Sequence, residues 1–243
     1  MLIRIAALAI ATGAGLASFA GSATAADGPS FDCAKAQLPA EKAICADPQL
    51  SAIDRLIAEA YKTFEPAYGR DKKTIARGLV ADRDACGSDP TCIAAVLNNA
   101  LESYGAPVSW VASYTEGLIG KRALDVAAAA PRNAEQPMPG KIAECTLTHI
   151  TSLTTRFGEE ALENASPEAG SLVQFANGGA QVSYDREPGL VGSRVGDPVA
   201  ICLLSIPRDC PEGDDRGRAY YGIDLALKGS WVLSDSQHMC GGA

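Results

Sequence analysis

The chain has 243 residues, with 21 basic and 29 acidic side chains and a formal net charge of −8 at pH 7. This acidic balance argues against nucleic acid and anionic lipid as partners, since both bind basic surfaces. The length suits one large domain or two small ones.

An export signal is predicted over residues 1–25. Arg4 precedes a long apolar run, and Ala23 and Ala25 fit the small-x-small rule of a signal peptidase site, which makes Ala26 the new N-terminus. The alternative, a membrane anchor, needs about 20 apolar residues, whereas glycines and a serine interrupt this run early. We therefore expect a protein of the periplasm or the medium, with no membrane insertion after cleavage.

All eight cysteines lie beyond residue 25. An even count in an exported protein predicts disulfides. Zinc is the weaker alternative, because there is no Cys-x-x-Cys pair and the chain has only two histidines. The cysteines divide four and four, so we expect each half to be cross-linked within itself. Three connectivities stay open in each half, although the turn-like sequence between the third and fourth cysteines favours their pairing. The eight are Cys33, Cys45, Cys86 and Cys92, then Cys145, Cys202, Cys210 and Cys240.

Four short helices are predicted between Pro39 and Tyr104, where apolar residues recur at helical spacing. A unit of this size encloses little core, which explains the need for disulfides. The predicted helices run from Pro39 to Asp47, from Pro48 or Ser51 to Phe64, from Lys72 to Cys86, and from Pro90 or Thr91 to Tyr104.

Four blocks of this helical module (residues 26–104) resemble the N-terminal domain of the LprI-type lysozyme inhibitors over about residues 30–104. The blocks are Ser30–Ala36, Glu41–Asp47, Leu50–Asp54 with Tyr61, and Arg83–Cys86 with Cys92. Family members usually carry Gln and Trp near the positions of Ala76 and Leu79. The resemblance implies an envelope protein that binds and blocks lysozyme. The alternative is that the shared residues are structural, with Asp54 and Asp84 as surface or capping groups and Tyr61 in the core.

Residues 105–140 are predicted to connect two modules. Val108–Tyr114 has the composition of a strand, and Glu116–Ala130 that of a helix. Three prolines with Asn133 and Gly140 then indicate a linker over Pro131–Gly140.

The third part, residues 141–243, changes to β character. Alternating and β-branched segments joined by short turns predict five or six strands, and Asn177-Gly178-Gly179 is a hairpin signal. The fold class is therefore α+β, with a disulfide-linked helical module followed by a small all-β barrel or sandwich. The predicted strands are Cys145–Leu153, Leu172–Ala176, Gln181–Tyr184, Val199–Leu204, Arg218–Leu227 and Trp231–Leu233.

The charged loop that begins at Cys210 is the candidate binding loop, with Asp214, Asp215, Arg216 and Arg218 as its candidate residues. The alternative is a solvated hairpin loop that a disulfide closes. The loop lacks the full pattern of a twelve-residue calcium site, and no metal or cofactor is predicted.

Catalytic residues are few. Asp235 and His238 lie only three residues apart, and no Gly-x-Ser-x-Gly elbow occurs, while nothing singles out a carboxylate pair of glycosidase type. We expect no enzyme but an exported binding or inhibitory protein, with a cationic protein such as lysozyme as its partner. The alternatives are a non-catalytic structural or maintenance protein of the envelope and, less favoured, an envelope hydrolase.

Overall fold

The computed structural model describes residues 28–131, 133–158 and 160–242. The predicted export signal lies outside these residues. Within them, five α-helices precede a closed barrel of six antiparallel strands. The predicted α+β class is confirmed, and the β part is a barrel rather than a sandwich.

The helices begin where the sequence supplies caps. Asp47, Asp71 and Asp89 each accept hydrogen bonds from backbone N–H groups of the first turn that follows them. Such a cap is worth about 1 kcal/mol, because those N–H groups have no partner within the helix. The helices are α1 (Pro39–Ala46), α2 (Pro48–Thr63), α3 (Lys72–Ala85), α4 (Pro90–Ser103) and α5 (Ser109–Ala129).

Helix α4 is the centre of the helical module. Its residues from Ile93 to Leu101 are all buried, since α1, α2, α3 and α5 all pack against it. One core cluster joins Ile44 and Ile53 to the first half of α4. A second cluster forms at the other end, where Phe64 and Tyr104 meet with ring centroids 4.8 Å apart.

The strand predicted over Val108–Tyr114 is wrong, because Val108 precedes α5 and the rest of the segment forms its first turns. Its aromatic and β-branched residues are typical of strands, but packing decides otherwise. Val111, Thr115, Ile119 and Ala123 are buried at a spacing of four residues and form one stripe along the helix. Val111 contacts the helical core, whereas Ile119 and Ala123 contact the barrel. Helix α5 therefore joins the two modules.

The barrel closes in the order β1-β2-β3-β6-β5-β4, and every neighbouring pair is antiparallel. The last closure, between β3 and β6, rests on one paired position, Val182 opposite Ser234. The strands are β1 (Cys145–Thr154), β2 (Ser171–Phe175), β3 (Ala180–Ser183), β4 (Pro198–Ser205), β5 (Ala219–Asp224) and β6 (Ser230–Ser234).

The continuous apolar run from residue 199 to residue 204 lies within strand β4, which is buried on both faces. Val199, Ile201 and Leu203 face the barrel interior and pack there with Trp231 and other residues. The alternate residues Ala200, Cys202 and Leu204 belong to the cluster that α5 covers. A strand that is buried on both faces has no polar alternation, so β4 has the hydrophobic pattern of a central strand.

Four disulfides cross-link the molecule, two in each half, which confirms the predicted division. The predicted Cys86–Cys92 pair is among them. Disulfides of this number are typical of oxidising compartments outside the cytoplasm. The other disulfides are Cys33–Cys45, Cys145–Cys202 and Cys210–Cys240.

Among the helices in the described part of the chain, none has the length and apolar character that a bilayer span requires.

Candidate functional site

A cleft of about 550 Å³ separates the helical module from the barrel; we call it the inter-module cleft. It lies where the C-terminal ends of α2 and α4 face the segment that follows β4. The helical module contributes Phe64, Asn99, Glu102 and Ser103 to its lining, and the barrel contributes Arg208 and Asp209.

Asn99 connects the two sides beneath the cleft. Its side-chain carbonyl oxygen accepts a hydrogen bond from the backbone N–H of Ile206 at 3.1 Å. The residue is 1% exposed, and its amide nitrogen has no partner among the described residues. The Ser103 hydroxyl in the next turn of α4 also lacks one. Buried polar groups are normally paired, so these two are exceptional.

The barrel side of the cleft has two more such atoms. One carboxylate oxygen of Asp209 accepts a hydrogen bond from the backbone N–H of Ala67 at 2.7 Å, while the other oxygen is buried without a partner. Arg208 forms an ion pair with Asp82 through its terminal nitrogen, but its Nε is buried and unpaired. Both residues thus hold the modules together with only part of their hydrogen-bonding capacity.

Glu102 lies at the mouth of the cleft. Its surface reaches solvent, yet protein atoms on both sides desolvate the carboxylate, and this desolvation raises the pKa of Glu102. Hydrogen bonds from Ser205 and from the Asn98 amide, the latter at 2.8 Å, oppose the shift. Burial, and secondarily the charge of Glu102, also raise the pKa of Glu116. This end of the cleft therefore disfavours further negative charge.

Aromatic rings form one wall. Tyr104 packs against Phe64 and, at 5.7 Å between centroids, against Tyr61. Burial raises the pKa of Tyr104 to about 12, so its hydroxyl stays protonated at any physiological pH. Tyr68 reaches across the cleft, and its hydroxyl donates to the backbone carbonyl of Cys240 at 3.4 Å.

The candidate binding loop lies beside the cleft, since Gly217 and Cys240 both line it. Its charged residues mostly bind one another. Arg216 contacts both carboxylate oxygens of Asp214 at 2.9 and 2.8 Å and thereby lowers the pKa of Asp214 well below its usual range. Arg218 pairs with Asp215 at 2.7 Å. These pairs neutralise Asp214 and Asp215, and a hydrogen bond from the Gly241 N–H to Asp214 ties the loop to the C-terminal segment.

The residues that carry the family resemblance have structural contacts. Asp54 is buried and accepts a hydrogen bond from the backbone N–H of Ser30 at 2.7 Å. Asp84 pairs with Arg83 at 2.7 Å. Tyr61 packs on Tyr104. Asp54 is thus a buried group rather than the predicted surface or capping group, and Tyr61 packs against the core from a partly buried position. All three contacts are structural.

Asp235 and His238 contact different neighbours. The Asp235 carboxylate accepts hydrogen bonds from the backbone N–H groups of Gly217 and Arg218 at 3.0 and 3.1 Å. The His238 ring contacts the Tyr184 hydroxyl at 3.3 Å. Among the described residues, no hydrogen bond joins that ring to Asp235 or to a serine hydroxyl, so the pair is not arranged as a base with its orienting acid.

The inter-module cleft was not found from the sequence. Its polar residues come from α4 and from the segment after β4, and Asn99 and Ile206 are 107 positions apart. The only local signal was Asn98-Asn99 within an apolar helical run. The chain matches no protein family, and no curated protein and no solved structure is significantly similar to it.

Proposed function

We propose that this chain is an exported binding protein of the cell envelope that inhibits a cationic protein, with lysozyme as the partner that the sequence resemblance implies. The observation that carries the proposal is the charge of the barrel. Residues 141–243 hold 14 acidic and 8 basic side chains, whereas residues 26–104 hold 12 and 9. The excess of carboxylates thus lies mainly on the barrel.

Few of the barrel's exposed carboxylates are neutralised. Four of its six arginines are already engaged: Arg216 and Arg218 pair within the charged loop, Arg208 pairs with Asp82, and Arg186 donates to backbone carbonyls. Several exposed acids have no ion pair in the described part of the chain. They are Glu160, Glu163, Glu168, Asp185 and Glu212.

Unpaired surface charge of one sign attracts an oppositely charged partner over a distance and increases the association rate, most strongly at low salt. Lysozymes are usually cationic, so the barrel supplies the complementary field. The helical module, which carries the family resemblance, contributes less of this field than the barrel does.

Association kinetics with a c-type lysozyme test this assignment. We expect the double variant Glu163→Gln, Glu168→Gln to associate severalfold more slowly at low salt, with little change at high salt. The matched control is Asp32→Asn, Glu59→Gln, which removes the same charge from the helical module, where both carboxylates pair with lysines. Equal rates for the two double variants would contradict the role of the barrel.

The rival function is a structural or maintenance protein of the envelope. The structural contacts of Asp54, Asp84 and Tyr61 favour it, because they give the shared motif a purely architectural role. A pull-down from periplasmic extract with the full chain distinguishes the two. Capture of a basic hydrolase supports inhibition, whereas capture of envelope structural proteins alone supports the rival.

A further inference from the structure

We propose that the inter-module cleft is a binding site for a small neutral saccharide, a function separate from the inhibition of a protein partner. Of the ten described side-chain atoms that are buried without a hydrogen-bond partner, four belong to residues that line this one cleft. The four are Asn99 Nδ2, Ser103 Oγ, Arg208 Nε and Asp209 Oδ1.

Leaving such atoms unpaired destabilises the folded chain, because each one loses the hydrogen bond that water would otherwise supply. All four belong to residues that line one cavity, which indicates groups that await a ligand rather than scattered packing defects. The cavity of about 550 Å³ also falls within the range of roughly 300–1,000 Å³ that is usual for small-molecule sites.

The types of atom define the ligand. Asn99 Nδ2 and Arg208 Nε can only donate, Asp209 Oδ1 accepts, and the Ser103 hydroxyl does both. A protonated amine brings donors only and would leave the Asn99 and Arg208 nitrogens without an acceptor. A carboxylate brings acceptors only and would meet Glu102 at the mouth. Hydroxyl and acetamido groups both donate and accept, so they can satisfy all four atoms.

The remaining lining agrees with a sugar. Phe64 and Tyr104 present ring surface on one wall, and a sugar offers C–H groups to such a surface. The basic side chain that lines the cleft, Arg208, is already neutralised by Asp82. A neutral ligand therefore adds no further charge to the cleft, and its hydroxyl groups can donate to the Asp209 carboxylate, which forms no ion pair among the described residues.

The four atoms lie beneath the cleft surface, so the ligand reaches them when the side chains that line the cleft shift, while α5 keeps the two modules joined. The contacts that span the cleft at its rim permit this. Tyr68 meets the Cys240 carbonyl at 3.4 Å, and Arg70 meets the Cys210 carbonyl at 3.2 Å. Both are side-chain contacts of exposed residues, which exchange readily with water.

Titration calorimetry of the intact, disulfide-bonded chain tests the proposal, with N,N′-diacetylchitobiose and maltose as saccharide probes and spermidine and glutamate as charged probes. We expect at least one saccharide to bind and neither charged probe to do so. Binding of spermidine or glutamate without either saccharide would overturn the assignment, as would the absence of binding by all four.

Two serine variants locate the site. Ser103→Ala removes a hydroxyl that has no partner, so the variant should fold normally and bind the saccharide about tenfold more weakly, the loss of one good hydrogen bond. The matched control is Ser193→Ala, which removes another buried, unpartnered hydroxyl that does not line the cleft. Equal affinities for the two variants would place the saccharide elsewhere and contradict the proposal.

Discussion

Gly222 and Trp231 show how a single position shapes the barrel interior. They lie directly opposite each other on β5 and β6. The indole occupies the space that a side chain at position 222 would need. Its ring nitrogen donates to the buried side-chain oxygen of Gln181 at 2.7 Å, across the weakly paired boundary between β3 and β6. The missing Cβ therefore lets Trp231 both fill the core and help to close the barrel.

Gly222→Ala should lower the free energy of unfolding by about 1–3 kcal/mol, because the added methyl group overlaps the indole. The matched control is Gly117→Ala in α5, where the new methyl group contacts nothing and should raise stability by up to about 1 kcal/mol through helix propensity. Urea unfolding followed by circular dichroism measures both variants. If both variants changed the free energy of unfolding by a similar amount and in the same direction, Trp231 would not need the space at position 222.

Glu102 makes stability depend on pH. Its raised pKa means that the folded chain holds this proton more tightly than the unfolded chain does. The corresponding contribution to stability is complete below the ordinary value of 4.5 and is lost as pH rises through the raised pKa. Glu102→Gln is therefore expected to melt above the unchanged chain at pH 7 and close to it at pH 4.

Thermal unfolding at the two pH values checks this prediction. Glu65→Gln is the control, since Glu65 lies exposed at the rim of the same cleft. If Glu102→Gln melted below the unchanged chain at pH 7, or if the two variants showed the same pH dependence, burial of the Glu102 carboxylate would not be the cause.

Helix boundaries were predictable from the sequence, because the residues that determine them lie next to them in the chain. The aspartates at positions 47, 71 and 89 cap the helices α2, α3 and α4 that follow them directly in the chain. Prolines open α1, α2 and α4. The N-terminal part of α5 was not predictable in this way. Its helical state depends on Val111 and Ile119 meeting partners that lie far away in the sequence.

The strands were also predictable, but the closure of the barrel was not. Alternation and turn residues mark each strand, and the hairpin at Asn177-Gly178 joins β2 to β3 as expected. The pairing of Val182 with Ser234 joins β3 to β6 and thereby closes the sheet into a barrel rather than a sandwich. No local pattern specifies that pairing, because the two residues lie 52 positions apart in sequence.

The disulfides should contribute unequally. Cys145–Cys202 closes a loop with a sequence separation of 57 and Cys86–Cys92 one of 6. Loop entropy then predicts that changing both cysteines of a pair to alanine costs about 4 kcal/mol for the first pair and about 2 kcal/mol for the second. Urea unfolding of the two double variants compares them, and each serves as the control for the other. Equal losses would show that chain entropy does not govern their contribution.

At the level of the whole molecule, two features support the functional proposals, and only one of them depends on how the modules meet. The excess of acidic side chains lies mainly on the barrel. It could be counted from the sequence, since the count requires no knowledge of contacts. The inter-module cleft could not be foreseen, because it exists only where α4 faces the segment after β4. Helix α5 fixes that arrangement by packing on both modules at once.

The central proposal is that this acidic, disulfide-bonded chain inhibits a cationic lysozyme. Its most direct test follows the turbidity of bacterial cell walls during lysis by a c-type lysozyme, with residues 26–243 added in micromolar excess. We expect slower lysis at low salt and weaker inhibition at high salt, because salt screens the charge of the barrel. Lysis at the uninhibited rate under both conditions would contradict it.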